Sequence, residues 1–175
     1  NNATVAVDRY DEIMKTDPVV KDDSQSENIL TFNEIEYRDV TFKYPFDNLS
    51  TISNVNLTIK NGQTIGVVGP TGSGKSTLIR QLLREFNVTD GDILIDGKNI
   101  KKFKINKIRK MVGYVPQSHM LFRRGVDDNI LIGSPEATMD QLNKAIKIAD
   151  FQKDLFYLSD GLHTKVGEGG ASLSG

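Results

Sequence analysis

Between Ile35 and Phe42 the side chains alternate, with Ile35 and Tyr37 separated by Glu36 and Arg38. Val40 and Phe42 then take up a shifted register, and the slip predicts a strand carrying a β-bulge. Val55, Leu57 and Ile59 alternate with Asn56, Thr58 and Lys60 and run into Asn61-Gly62, which predicts a second half-buried strand closed by a tight turn. Thr64-Ile65-Gly66-Val67-Val68 is instead a continuous apolar run, the pattern of a central strand buried on both faces. Gly91 to Ile95, closed by Asp96-Gly97, and Met111-Val112-Gly113-Tyr114-Val115, stopped by Pro116, predict two further strands. Helical spacing governs elsewhere. It places Val5, Val7, Tyr10, Ile13 and Met14 on an opening helix and Leu78, Ile79, Leu82 and Leu83 on a helix from Ser76 to Arg84. A short helix is expected over 105–110. Leu142, Ala145, Ile146 and Ala149 line one face behind the capping box Thr138-Met139-Asp140-Gln141.

These elements divide the chain into a helix over 1–17, a polar linker over 18–28 that begins at Pro18, and a domain over 29–175. Within the domain, 29–116 is rich in strands and 117–175 is mostly helical. The length suits one domain with an extension. A net charge of −1 gives no overall attraction for nucleic acid, and the basic run Lys98 to Lys104 reads as a solvated loop and helix start, so no nucleic-acid partner is expected. The absence of cysteine excludes disulfide and thiol chemistry. No apolar stretch approaches the roughly 20 residues that cross a bilayer. Starting at Asn1 with neither an initiator Met nor a signal-peptide pattern, the sequence reads as a piece of something longer.

The strongest chemical signal is Gly69-Pro70-Thr71-Gly72-Ser73-Gly74-Lys75-Ser76-Thr77, set where a strand is expected to give way to a helix. Holding a triphosphate requires many donors converging on phosphate oxygens, and backbone N–H groups supply them only where side chains stand aside. Gly69, Gly72 and Gly74 meet that need. Lys75 opens the helix, where its ammonium reaches β- and γ-phosphates, and the Ser76 hydroxyl suits Mg²⁺. A glycine-rich turn beside a surface lysine is the plainer reading, but the full spacing in this strand-to-helix setting favours nucleotide binding. His119 and His163 have no second ligand at useful spacing and read as surface loop residues.

Several separate motifs around that loop resemble the nucleotide-binding domain of ATP-binding cassette (ABC) transporters over 29–175. Tyr44, in Val40-Thr41-Phe42-Lys43-Tyr44-Pro45, resembles the family's adenine-stacking aromatic. Gln117, in Gly113-Tyr114-Val115-Pro116-Gln117, resembles the Q-loop glutamine that contacts Mg²⁺ and the attacking water. Leu173-Ser174-Gly175 resembles the start of the signature motif, so Ser174 and Gly175 are implied to face the γ-phosphate held by an opposite subunit. Val166-Gly167-Glu168 is similar to an exporter segment, although Gly169 departs from its usual arginine. The leading helix and the sequence from Leu121-Phe122 to Asp128-Asn129-Ile130 are also similar to exporters.

The resemblance implies an α/β P-loop NTPase core with an N-terminal antiparallel β subdomain and part of the helical subdomain. It implies ATP and Mg²⁺ as cofactors. The implied partners are a second nucleotide-binding domain and a transmembrane domain, at the cytoplasmic face of a membrane. In the family the Walker B aspartate, catalytic glutamate and switch histidine lie beyond the signature. The segment is therefore expected to bind nucleotide weakly without turning it over and to leave its core sheet with an unpaired edge. A non-catalytic partner cassette, an importer cassette and a soluble P-loop kinase are the rival readings. Tyr44, Gln117 and the signature fragment weigh against the kinase, and the leading helix and Gly167-Glu168 against the importer.

Overall fold

The register slip expected near Asp39 is built into the first strand of the computed structural model, which describes residues 2–117 and 120–167. Strand β1 (Glu34–Phe42) pairs antiparallel with β2 (Ile52–Lys60), and their register breaks between Tyr37 and Val40. Asp39 adopts φ 51 there. Asn56 clamps the bulge: its Nδ2 donates to Asp39 Oδ1 at 2.7 Å, and its Oδ1 accepts from Asp39 N at 2.9 Å. On the other edge of β1 lies β3 (Asp90–Ile95), whose Gly91 has φ 74. A Cβ on Gly91 would sit 2.4 Å from the Asp39 carbonyl oxygen, so the bulge dictates glycine opposite it. The two-residue β4 (Lys98–Asn99) completes a sheet in the order β2-β1-β3-β4.

Two compact units make up the chain, Asn1–Tyr114 and Val115–Gly175. The first begins with helix α1 (Asn2–Lys15), on which Val5, Val7, Tyr10, Ile13 and Met14 are all exposed. Its core lies where Tyr37, Val40, Phe42, Ile52, Ile93 and Ile95 are buried together. Helix α2 (Lys75–Arg80) is fixed to the sheet by Tyr37, whose hydroxyl donates to the Leu78 carbonyl at 3.1 Å. Burial pushes the Tyr37 phenol up, so it remains a donor. Helix α3 (Ile105–Met111) contributes Ile108 to the same core.

Four expectations change. The helix expected from Ser76 to Arg84 is regular only to Arg80. It then tightens into a 3₁₀ turn over Gln81–Leu83 and ends at Arg84 in the left-handed region, with φ 49. The run Thr64–Val68 forms no ladder, and Ile65, Val67 and Val68 are exposed. Met111 ends α3 rather than opening a strand, and 112–116 likewise has no ladder. A strand buried on both faces needs neighbours on both edges and cover on both sides, and among the described residues neither run has them. Finally, part of the segment expected as a linker is docked: Ser26 is buried, and Glu27 bridges to Phe103.

The second unit holds α4 (Val126–Leu131), α5 (Met139–Ile148) and α6 (Gln152–Leu155). The capping box at the start of α5 is present in both directions, with Thr138 Oγ1 accepting from Gln141 N and Gln141 Oε1 from Thr138 N. Leu142 and Ile146 are buried, whereas Ala145 and Ala149 face an apolar cavity of about 1080 Å³. Asn129 ties the preceding loop to α4, accepting from Phe122 N at 2.8 Å and donating to the carbonyls of Phe122 and Gly125. Among the described residues no helix is long and apolar enough to cross a membrane.

Candidate functional site

Gly74 sits at the entrance of α2 with φ 83. A Cβ there would meet Ile52 Cγ2 and the Thr51 carbonyl oxygen, both at 2.7 Å, so only glycine lets the loop reach the sheet while turning left-handed. The next residue closes the loop on itself: Lys75 Nζ donates to the Gly69 carbonyl at 2.8 Å and the Pro70 carbonyl at 2.7 Å. Ser73 Oγ lies 3.5 Å from the same ammonium, and Ser73 N donates to the Pro70 carbonyl at 3.3 Å. Gly69 to Ser73 are exposed, Lys75 is half-buried and Thr77 is buried. An ammonium is thus held at the centre of an accessible loop by neutral carbonyls, partners that an anion's oxygens outcompete because bonds between charged groups are the stronger ones.

Tyr44 lies just beyond the end of β1 and is joined to this loop through α2. Its hydroxyl and Thr77 Oγ1 share a hydrogen bond at 3.1 Å. Its ring meets Phe42 at 4.8 Å and 79° and Phe86 at 5.4 Å and 86°, two edge-to-face contacts that fix the ring plane. The third pair, Phe42 with Phe86, closes the cluster at 5.7 Å. At the far end of α2, Arg80 pairs with Glu85, and that hydrogen bond raises the basicity of the guanidinium.

The structure brings Tyr44 and the residues Gly69 to Thr77 together in the first unit. Gln117 belongs to the second unit, exposed just after Pro116. Ser174 and Gly175, with Glu168, Gly169 and His119, lie outside the described residues. His163 is exposed and its Nδ1 lies 2.7 Å from Asp127 Oδ2. Among the described residues no group of three or more His, Cys, Asp or Glu side chains is placed to hold a metal ion. Reading the sequence missed the contacts that seat the loop, above all Thr51 and Ile52 against Gly74 and Phe86 against Tyr44. These join residues far apart in the chain, and no local pattern marks them.

A family model described as ABC transporter matches residues 52–175. Over 97% of its length the chain is 39% identical to a protein of Bacillus subtilis (strain 168) named a probable multidrug resistance ABC transporter ATP-binding/permease protein, of which it spans 29%. It is 41% identical over 141 residues to the ABC transporter B family member 13 of Arabidopsis thaliana, covering 11% of that protein. Among solved structures, a bacterial Atm1-family ABC exporter with ATP bound superimposes on 99% of the chain with a TM-score of 0.88 and 28% identity. The chain covers 31% of that exporter.

Proposed function

This chain belongs to the ABC transporter family, and from that premise we propose that it is the ATP-binding part of an exporter that couples ATP binding and hydrolysis to transport. The observation that carries the reading is the Lys75 ammonium ringed by the Gly69 and Pro70 carbonyls at the mouth of α2. When nucleotide arrives, Lys75 exchanges those carbonyls for β- and γ-phosphate oxygens, and the N–H groups from Gly72 to Thr77 converge on the same phosphates. Tyr44, held by Phe42, Phe86 and Thr77, presents its ring to adenine.

Mg²⁺ takes hard oxygen ligands and keeps several waters, and an exposed serine hydroxyl at the start of α2 fits that preference. Ser76 and, as the family resemblance implies, Gln117 would hold it, and it would neutralise charge on the β- and γ-phosphates. Gln117 also orients the attacking water. Ser174 and Gly175 contact the γ-phosphate held by a second nucleotide-binding domain, and a transmembrane domain of the same transporter carries the substrate. On this reading the chain lies at the cytoplasmic face of a membrane. The exporter names of the relatives support export over import.

A polypeptide of residues 1–175 is expected to bind Mg·ATP and not to hydrolyse it, because amide and hydroxyl groups orient water but do not accept its proton. Calorimetric titration tests this. Saturable binding to the wild type, lost in Lys75→Ala, is expected. Binding that survives Lys75→Ala, or turnover that Lys75→Ala abolishes, contradicts the reading.

A further inference from the structure

The segment 21–28 is polar, yet it is fastened to the first unit at several points. Glu27 N donates to the Lys102 carbonyl and Lys104 N donates to the Glu27 carbonyl, each at 2.8 Å. The Glu27 carboxylate accepts from Lys98 Nζ at 2.6 Å. Ser26 is buried in a tight turn whose Oγ accepts from Asp23 N. Asp22 Oδ1 accepts from Ile105 N, the first residue of α3, at 2.9 Å.

The same Asp22 oxygen lies 3.8 Å from Arg84 Nη1. Arg84 is only 3% exposed and directly follows the 3₁₀ turn that extends the P-loop helix. Its Nη1 donates to the Phe103 carbonyl at 2.9 Å, and its buried Nε has no hydrogen-bond partner. Burial lowers the basicity of Arg84, Asp22 opposes that, and nearby Arg109 adds to it. Arg109 meanwhile donates to the carbonyls of Leu83 and Arg84, capping the end of the turn. Asp22 is thus the carboxylate that compensates a cation buried at the end of the helix that begins with Lys75. Arg84 is the buried member and the Asp22 side chain is 38% exposed, so removing Asp22 leaves the buried guanidinium uncompensated.

We propose that Asp22 and Arg84 form a latch through which the segment leading into the domain sets the position of the P-loop helix and hence the nucleotide affinity at Lys75. The proposal rests on the nucleotide-binding reading above. Arg84 acts as a positioning residue. Lys75 to Leu83 is a continuous helical rod, Arg84 anchors its far end, and the Lys75 hydrogen bonds at the near end weaken steeply with small displacements. Release of Asp22 allows the rod to shift. By linkage, nucleotide at Lys75 must tighten the docking of 21–28 by the same factor.

The test uses the whole protein that carries this chain. Mg·ATP dissociation constants and amide hydrogen exchange at Glu27 and Lys104 are measured for the wild type, for Asp22→Asn, and for Asp96→Ala as a control. Asp96 accepts from Asn33 N and Glu34 N at the sheet edge and does not touch Arg84. Asp22→Asn is expected to raise the dissociation constant at least about 5-fold, the low end of ordinary coupling. Asp96→Ala is expected to lower the Tm with no change in affinity. Saturating nucleotide should slow exchange at Glu27 and Lys104 in the wild type and not in Asp22→Asn. Unchanged affinity in Asp22→Asn overturns the latch and leaves the nucleotide reading standing, whereas a wild type that does not bind Mg·ATP overturns both. If Asp22→Asn does not fold, the wild-type exchange decides: no slowing at Glu27 and Lys104 on saturation overturns the latch.

Discussion

Strands β1 and β3 and the run Thr64–Val68 are all rich in β-forming apolar residues, and their fates differ completely. Val40 is 0% exposed and Ile93 2%, whereas Val68 is 93% exposed. The difference lies in partners. β1 has β2 returning beside it through a nine-residue connection and β3 on its other edge, so every inward side chain is covered. The run 64–68 has equal propensity and no ladder among the described residues, and Val115 at the end of the other apolar run is 84% exposed in the same way. Propensity makes a strand possible, and a neighbour makes it real.

The sharpest break of this comparison is Phe42→Ala, expected to destabilise the first unit by about 3–5 kcal/mol in denaturant titration, the cost of emptying a well-packed aromatic site. A loss below about 1 kcal/mol would mean that the sheet core is no better packed than the exposed runs. Next in size is Thr138→Ala, which removes a capping box whose partner is three residues away. It is expected to cost about 1 kcal/mol, read as lost helical circular dichroism and a lower midpoint. Tyr44→Phe deletes the hydroxyl bonded to Thr77 and keeps both ring contacts, so about 0.5–1.5 kcal/mol is expected, together with little loss of nucleotide stacking. The smallest effect belongs to Val68→Ala, within about 0.5 kcal/mol in the 175-residue polypeptide. A larger cost there would show that the run is covered in solution.

What the sequence made legible follows the same division. The bulge near Asp39, the turn at Asn61-Gly62 and the capping box at Thr138 were readable because their causes lie within a few residues. The shape of the loop from Gly69 to Ser76 was readable for a related reason: glycine spacing and the following lysine encode a local backbone conformation, and Lys75 closes it onto Gly69 and Pro70. The exposure of the run 64–68 was not readable, since alternation and apolar runs describe one strand and say nothing of its neighbours. Nor was the docking of 21–28, where Asp22 meets Ile105 across 83 positions with no apolar pattern to announce it. The end of α2 was misjudged because Leu82 and Leu83 continue the helical spacing while the backbone tightens to bring Arg84 inward.

The central claim is that the loop from Gly69 to Ser76, held in shape by its own lysine, is where the triphosphate binds. Residue-resolved amide exchange with and without Mg·ATP addresses it most directly. The expected result is strong protection at Gly72, Ser73, Gly74, Lys75 and Ser76 that is absent in Lys75→Ala. Nucleotide binding that leaves those five amides unchanged and protects others instead would contradict it.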